Sequence, residues 1–156
     1  MEKDCLFCKI ITGRIGVDGL FWEDKSYMAW LAIDPNTEGF SVVVPKKHFR
    51  SDVLKMDDKN LKEFIIAAKK VSGILEKAFD DVGRVGLVME GTGINHAHIK
   101  LIPMHNTKWM KEGKWMPVPS NKSDYFDSYE GYLSSAAGPL ANPNDLKKLA
   151  KKLSSI

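Results

Sequence analysis

Long apolar runs and an excess of one charge are both missing from this sequence. No hydrophobic stretch is long enough to span a bilayer, and the formal net charge over 156 residues is only +3. The lysines near the C-terminus are explained better by a solvated helix face than by a nucleic-acid-binding patch. We therefore expect neither a membrane nor a nucleic acid as a partner.

Cysteine is also scarce, and the two cysteines lie three positions apart in the N-terminal segment MEKDCLFCKII. Charges of both signs interrupt this segment, which therefore lacks the plan of a signal peptide. We expect a cytoplasmic protein in which Cys5 and Cys8 act together. A C-x-x-C turn allows two thiolates to bind one tetrahedral zinc ion; a redox pair and two ordinary reduced thiols are the alternatives.

The residues that are present give an ordinary globular composition, 44% hydrophobic and 28% charged, over a length that suits one domain. Alternating apolar residues predict a hairpin over residues 21–31 and a central strand in FSVVVP, residues 40–45. Apolar residues at helical spacing predict one long helix over residues 58–79, with Asp57 or Asp58 as N-cap.

Two further strands are predicted in RVGLVME, residues 84–90, and NHAHIKLIP, residues 95–103. The short GTGIN turn between them favours an antiparallel pair. A closing helix begins at Pro143 after the N-cap Asn142. This order predicts an α+β fold in which the long helix and the C-terminal helix pack against an antiparallel sheet.

The segment after residue 103 has no regular periodicity but many aromatic residues. We predict a domain over residues 1–103 and a C-terminal extension over residues 104–156, an aromatic loop plus a helix, packed on the same domain. Aromatic side chains are enriched at protein interfaces. We therefore expect a homodimer, with residues 109–132 near its interface or over the active site.

The strand NHAHIKLIP carries polar and apolar residues in strict alternation. The alternation places His96, His98 and Lys100 on one face of the strand. A half-buried strand with a solvated polar face is the plainer interpretation. However, one of these histidines, together with His48 after the central strand and the two cysteines, would complete a Cys2His2 zinc site.

The segments CLFCKIITGRI, AWLAIDPNTEGFSVVVPKKHF and HAHIKLIP, with the long helix before the last, resemble the histidine-triad (HIT) family over about the first two-thirds of the chain. The resemblance implies a nucleotide phosphoramidate or dinucleoside-polyphosphate hydrolase with an α+β fold, often a homodimer. It also implies that His98, the middle position of the triad strand, attacks the α-phosphorus and forms a covalent nucleotidyl-histidine, for which a neutral imidazole is suited.

By the same resemblance, zinc is held structurally by the C-x-x-C pair, the histidine after PKK and the first strand histidine. These residues are Cys5, Cys8, His48 and His96.

The sequence departs from the family pattern at three positions. Lys100 replaces the third histidine, Ala32 stands where the family has a ribose-binding aspartate, and Met89 stands where it has an asparagine. A lysine would hold a phosphate oxygen by its charge. We predict His98 and Lys100 as catalytic residues and four substrate-binding residues: Asp34, Gly93, Asn95 and His105. The departures keep two alternatives open, a nucleotidyltransferase and a catalytically silent nucleotide-binding module.

Overall fold

A five-stranded antiparallel sheet is the centre of the fold in the computed structural model, which describes residues 2–123, 125–135 and 138–154. Its strand order is β1–β2–β3–β5–β4. The strands are β1 (Leu20–Glu23), β2 (Tyr27–Leu31), β3 (Ser41–Pro45), β4 (Val85–Val88) and β5 (Ile99–Pro103). The helices are α1 (Leu6–Ile11), α2 (Asp58–Ala78) and α3 (Pro143–Leu153), with 3₁₀ turns at Val53–Lys55 and Lys108–Met110.

The predicted α+β fold with an antiparallel sheet is confirmed. The hairpin β1–β2, the central strand β3 and the antiparallel pair β4–β5 all form where the alternation indicated. The long helix α2 ends one residue before its predicted end.

Helix α2 is held by its N-cap and by an apolar stripe that covers one face of the sheet. The Asp57 carboxylate accepts the backbone N–H of Asn60 at 3.1 Å, and the hydrogen bonds from Asn60 lower the pKa of Asp57. Phe64, which is fully buried, packs in the same cluster as Val71 of the helix and Ile99 of the sheet. This side of the sheet is therefore filled by apolar side chains.

The opposite face is covered by helix α1, which the sequence did not predict. Phe7 packs with Met28, Trp30 and Val44 in a second apolar cluster, and the ring centroids of Phe7 and Trp30 lie 5.3 Å apart. A helix of six residues is not stable alone, so this packing is what keeps it folded. It also brings the N-terminal cysteines over the end of the sheet.

The histidine segment differs from its prediction in one respect. Strand β5 begins only at Ile99, because the N–H of His96 donates to the carbonyl of Ile94 at 2.8 Å in a tight turn. The predicted alternation still holds. Ala97 and Ile99 belong to the apolar cluster under α2, whereas the rings of His96 and His98 contact Phe7 on the other face.

The chain divides into two compact units, Met1–Trp115 and Met116–Ile156. Both apolar clusters lie in the first unit. In the second unit, Asn142 caps α3 by accepting the N–H of Asn144 at 2.8 Å, and the leucine stripe of this helix is exposed. None of the helices in the described part of the chain combines the length and the apolar character needed to cross a bilayer.

Candidate metal centre and active site

Four potential metal ligands converge where α1 meets the end of the sheet. Cys5 caps α1, Cys8 lies within it, His48 follows β3, and His96 precedes β5. One ligand atom from each lies within 4.8 Å of all the others. The Cys5 Sγ–His96 Nδ1 and Cys8 Sγ–His48 Nδ1 distances are both 3.4 Å, and Cys8 Sγ–His96 Nδ1 is 3.7 Å.

These separations fit a tetrahedral zinc ion. Zn–S and Zn–N bonds of the usual lengths place neighbouring tetrahedral ligands roughly 3.3–3.8 Å apart. The three measured distances fall in that range, and the donor set of two thiols and two imidazoles is one that zinc prefers.

Both histidines of the cluster present the nitrogen that a metal would need. The Nε2–H of His96 donates to the carbonyl of Pro45 at 2.8 Å, and the Nε2–H of His48 donates to the Glu2 carboxylate at 2.8 Å. A carbonyl or carboxylate oxygen can only accept from these rings, so Nδ1 of each carries the lone pair. Metal-binding histidines are oriented by such bonds. Sequence reasoning did not identify Glu2, which has no periodic relation to the cysteines.

Burial adjusts the protonation of two members of the cluster. It lowers the pKa of His96, which favours the neutral imidazole that binds metals, and it raises the pKa of the Cys8 thiol. A bound dication would oppose the second effect by stabilising the thiolate. The donor set therefore suits a dication better than it suits a pair of free thiolates.

His98 lies next to this centre, and a backbone carbonyl fixes the orientation of its ring. Its Nδ1–H donates to the carbonyl of His96 at 2.8 Å, since a carbonyl can only accept. Nε2 is therefore the ring nitrogen with a free lone pair. The side chain is only 4% exposed, and the ring meets the edge of Phe7 with centroids 5.7 Å apart. An imidazole that is fixed in this way and lines a cavity is chemically suited to act as a nucleophile.

A cavity of about 620 Å³ opens over His98. Lys100 pairs across the sheet with Val42, which in turn pairs with Trp30, so the three side chains form one row in the cavity. The wall is mostly apolar, a lining typical of small-molecule sites. Its lining residues are Leu6, Phe7, Ile10, Ile15, Gly16, Val17, Asp18, Gly19, Trp30, Leu31, Ala32, Ile33, Asp34, Val42, Thr92, Gly93, Ile94, His98 and Lys100.

Lys100 forms an ion pair with Glu90, a residue that sequence reasoning did not single out. The lysine Nζ contacts the Glu90 carboxylate, and the exposed fractions of the two side chains are 30% and 9%. A signal for Glu90 was available: Val88 pairs with Lys100, so the same antiparallel register carried two residues further brings residue 90 towards His98.

The predicted substrate-binding residues fall in different places. Asp34 and Gly93 line the cavity with His98. Asn95 instead accepts the N–H of Ser51 at 3.1 Å and lines a separate depression of about 320 Å³ beside Cys5. Besides Lys100, two residues depart from the family pattern: Ala32 lines the cavity, and Met89 packs against the cluster under α2.

His105 lies outside this cavity lining. Its Nδ1 is 3.0 Å from the Asp81 carboxylate, and its Nε2 is 3.1 Å from the carbonyl of Glu38. These contacts raise the pKa of His105, with the Glu38 carbonyl as the largest cause, and the N–H of Asn106 is the largest cause of the lowered pKa of Asp81. The position gives no support to a substrate-binding role and indicates a structural one.

Comparison with known proteins identifies relatives of this chain. The model of the family described as HIT domain matches residues 17–107. An uncharacterised HIT-like protein of Methanocaldococcus jannaschii is 39% identical over 106 residues, which are 65% of this chain and 79% of that protein. The adenosine 5′-monophosphoramidase of Saccharomyces cerevisiae is 26% identical over 125 residues, 80% of this chain and 76% of the yeast enzyme.

Solved structures share the fold. A Streptococcus mutans protein superposes with a TM-score of 0.67 at 26% identity, covering 99% of this chain and 86% of that chain. A HIT family protein from Bacillus subtilis superposes with a TM-score of 0.63 at 22% identity, covering 98% of this chain and 96% of its own. The second likeness is one of fold alone.

Proposed function

Because this chain belongs to the HIT domain family, we propose that it is a nucleotide hydrolase in which His98 attacks the α-phosphorus of a nucleotide conjugate. The observation that carries the proposal is the hydrogen bond from His98 Nδ1–H to the His96 carbonyl, which leaves Nε2 with its lone pair in a side chain that lines the cavity. Similarity to a yeast adenosine 5′-monophosphoramidase supports phosphoramidates as substrates; dinucleoside polyphosphates are the second class.

The reaction has two steps that balance. In the first, the Nε2 lone pair of His98 forms a P–N bond, and the bond from phosphorus to the leaving amine or phosphate breaks. The leaving group keeps the electron pair, and an amine also takes up a proton from water. In the second, water attacks the phosphorus of the nucleotidyl-histidine and gives up a proton, the electron pair of the broken P–N bond returns to His98 Nε2, and the nucleotide leaves with the water oxygen. The hydrogen bond to the His96 carbonyl stabilises the positive charge that His98 carries between the steps.

We propose that Cys5, Cys8, His48 and His96 hold a structural zinc ion. The separations of their ligand atoms and the two Nε2–H bonds support this assignment. When bound, such an ion contributes folding free energy. Since His98 is hydrogen-bonded to the backbone of His96, the same centre would hold the nucleophile in place. Cys5 and Cys8 are free thiols, which suits the reducing cytoplasm.

Acid-quenched labelling with a nucleotide phosphoramidate radiolabelled at the α-phosphate tests the proposal. We expect label on the wild-type chain and on His105→Ala, a matched control outside the cavity lining, and none on His98→Ala. The His98→Ala variant should keep its zinc because His98 is not one of the proposed ligands. Label retained by His98→Ala would show that another residue is the nucleophile.

The absence of the third histidine of the family pattern favours a second candidate, a nucleotidyltransferase. Lys100 stands at that position and pairs with Glu90. The label on a transferase would be released faster by an added acceptor than by water alone. A wild-type chain that binds nucleotides but never becomes labelled would instead be a nucleotide-binding module without turnover.

We propose that the protein is a homodimer. Support comes from exposed aromatic side chains in the second unit, where Tyr125 is 76% exposed and Tyr129 is 53% exposed. Sedimentation at micromolar concentration should give the mass of two chains, and a single-chain mass would refute the assembly.

A further inference from the structure

The charged side chains of the cavity are unusual for a site that would bind polyphosphate. Among the described residues that line it, Lys100 is the only lysine or arginine, whereas Asp18 and Asp34 are both acidic. Clamps on phosphate chains are usually built from several lysine and arginine side chains or a metal ion. The lining alone therefore offers little cationic charge to a ligand that carries several negative charges.

Glu90 reduces that charge further. Its carboxylate contacts the Lys100 ammonium directly, and its side chain is 9% exposed, so solvent screens the pair less than it screens a surface pair. Lys100 is nevertheless 30% exposed and lines the cavity, so it can still meet a ligand. A phosphate that approaches Lys100 meets a cation whose charge is largely offset by Glu90.

We infer that Glu90 is a specificity-determining residue that limits the cavity to nucleotides with few charges, such as mononucleotide conjugates. It does so by pairing with Lys100 and by repelling further phosphate groups. The inference rests on the proposed function, because it concerns the ligand of the same cavity. It selects the phosphoramidate class over the dinucleoside-polyphosphate class by charge, and it does not depend on which base the nucleotide carries.

Isothermal titration of three probes tests the inference. The probes are AMP, α,β-methylene ATP, which has a carbon bridge in place of the bond that would break, and inorganic tripolyphosphate. In Glu90→Gln, which conserves side-chain shape, we expect the affinity for α,β-methylene ATP relative to AMP to rise roughly fivefold to tenfold, the size expected for one charge near a partly exposed site. Tripolyphosphate should bind tighter by a similar factor.

Glu23→Gln is the matched control. Glu23 also forms an ion pair, with Lys46 at 2.8 Å, but Lys46, unlike Lys100, lies outside the cavity lining. Neutralising Glu23 therefore changes the net charge equally without freeing a cation in the cavity. We expect it to leave the affinity ratio unchanged. If Glu90→Gln folds poorly, a comparison of Lys100→Met with the double variant Lys100→Met/Glu90→Gln gives a second test. The ratio should be higher in the double variant, because Glu90 also repels further phosphate groups.

The outcomes separate this inference from the proposed function. An unchanged ratio in Glu90→Gln, with AMP still bound, overturns the role of Glu90 and leaves the hydrolase proposal intact. If AMP binds neither the wild type nor Glu90→Gln, but tripolyphosphate binds tighter to Glu90→Gln than to the wild type, the nucleotide proposal fails and the role of Glu90 stands. Equal changes of the affinity ratio in Glu90→Gln and Glu23→Gln would mean that net charge alone explains the effect, and would overturn the inference.

Discussion

At the scale of single residues, the site is organised by which nitrogen of each histidine is protonated. His96 and His48 each use Nε2–H for an oxygen acceptor, which leaves Nδ1 for the cluster, whereas His98 uses Nδ1–H and leaves Nε2. The same side chain thus serves as a ligand or as a nucleophile according to its hydrogen-bond partner.

This assignment predicts the metal content. We expect about one zinc per chain in protein purified without chelator, since closed structural sites hold zinc tightly. Elemental analysis that finds less than about a tenth of an equivalent in folded protein would refute the site.

Glu2→Gln should weaken zinc binding by about 10- to 100-fold, the usual cost of losing an orienting partner, as measured by competition with a chromogenic chelator. Glu112→Gln, which neutralises an exposed glutamate paired with Lys114, should leave the affinity unchanged.

His105 predicts a pH dependence of stability that is independent of the metal centre. Its folded pKa is raised, so its contribution is present below the unfolded pKa near 6.5 and is lost as pH rises through the folded value. The folded pKa of Asp81 is lowered, so its contribution is present above about 3.8 and is lost as pH falls through the folded value.

Both contributions to stability are present between the two unfolded pKa values, about 3.8 for Asp81 and 6.5 for His105. Thermal melts at pH 5.5 and pH 8.5 should therefore show a larger loss of Tm for His105→Gln at pH 5.5. An equal loss at both pH values would mean that the charge of His105 does not stabilise the fold.

At the scale of elements, the turn between β4 and β5 fixes the separation of Glu90 from the histidines. Gly91 and Gly93 both adopt positive φ, +68° and +83°. A Cβ built on Gly91 would lie 2.6 Å from the carbonyl oxygen of Ser51, whereas one built on Gly93 would have nothing within 4 Å. The first glycine is required by close approach as well as by backbone conformation.

A pair of alanine variants separates these two requirements. Gly93→Ala should cost about 1–2 kcal/mol of unfolding free energy from backbone strain alone. Gly91→Ala should cost about 1–3 kcal/mol more, because the Ser51 backbone must also move. Urea unfolding of both variants measures the difference, and equal losses would show that the Ser51 segment yields without cost.

At the scale of the whole molecule, the two compact units suggest a folding boundary later than the predicted one at residue 103. Residues 104–115 contribute to the first unit: the Thr107 hydroxyl accepts the N–H of Gly83 at 3.0 Å, and the guanidinium of Arg84 lies 4.7 Å from the ring centre of Trp115. We propose that the independently stable part of the chain extends to Trp115.

Two truncations test this boundary. A chain ending at residue 115 should unfold with nearly the free energy of the full chain, since both apolar clusters lie within it. A chain ending at residue 103 should lose about 0.5–1.5 kcal/mol for each hydrogen bond that it deletes, such as the one from the Gly83 N–H to Thr107. Similar stability of both truncated chains would place the boundary at 103.

The elements with strong periodicity were predicted from the sequence, whereas the acidic partners of the site were missed. The stripe that includes Phe64 and Val71 specifies α2, and the alternation around His98 specifies a shared face, because both patterns follow from backbone geometry. Glu2 has no such period, and its role depends on a distance set by the folded chain. The β4–β5 register could have placed Glu90 near His98, but its contact with Lys100 is set by the folded chain. Helix α1 was missed because tertiary packing forms it and no local pattern marks it.

The contact between Cys5 and His96 joins residues 91 positions apart. During synthesis, the cysteines leave the ribosome long before the histidines have been made. The N-terminal segment therefore cannot form its contact with His96 until residue 96 has emerged. Contacts of such long sequence separation form late, because the entropy of closing the loop must be offset first. An ion bound there would act as a reversible crosslink over a 91-residue loop. Acid or a chelator would open this crosslink, whereas a disulfide would need a reductant.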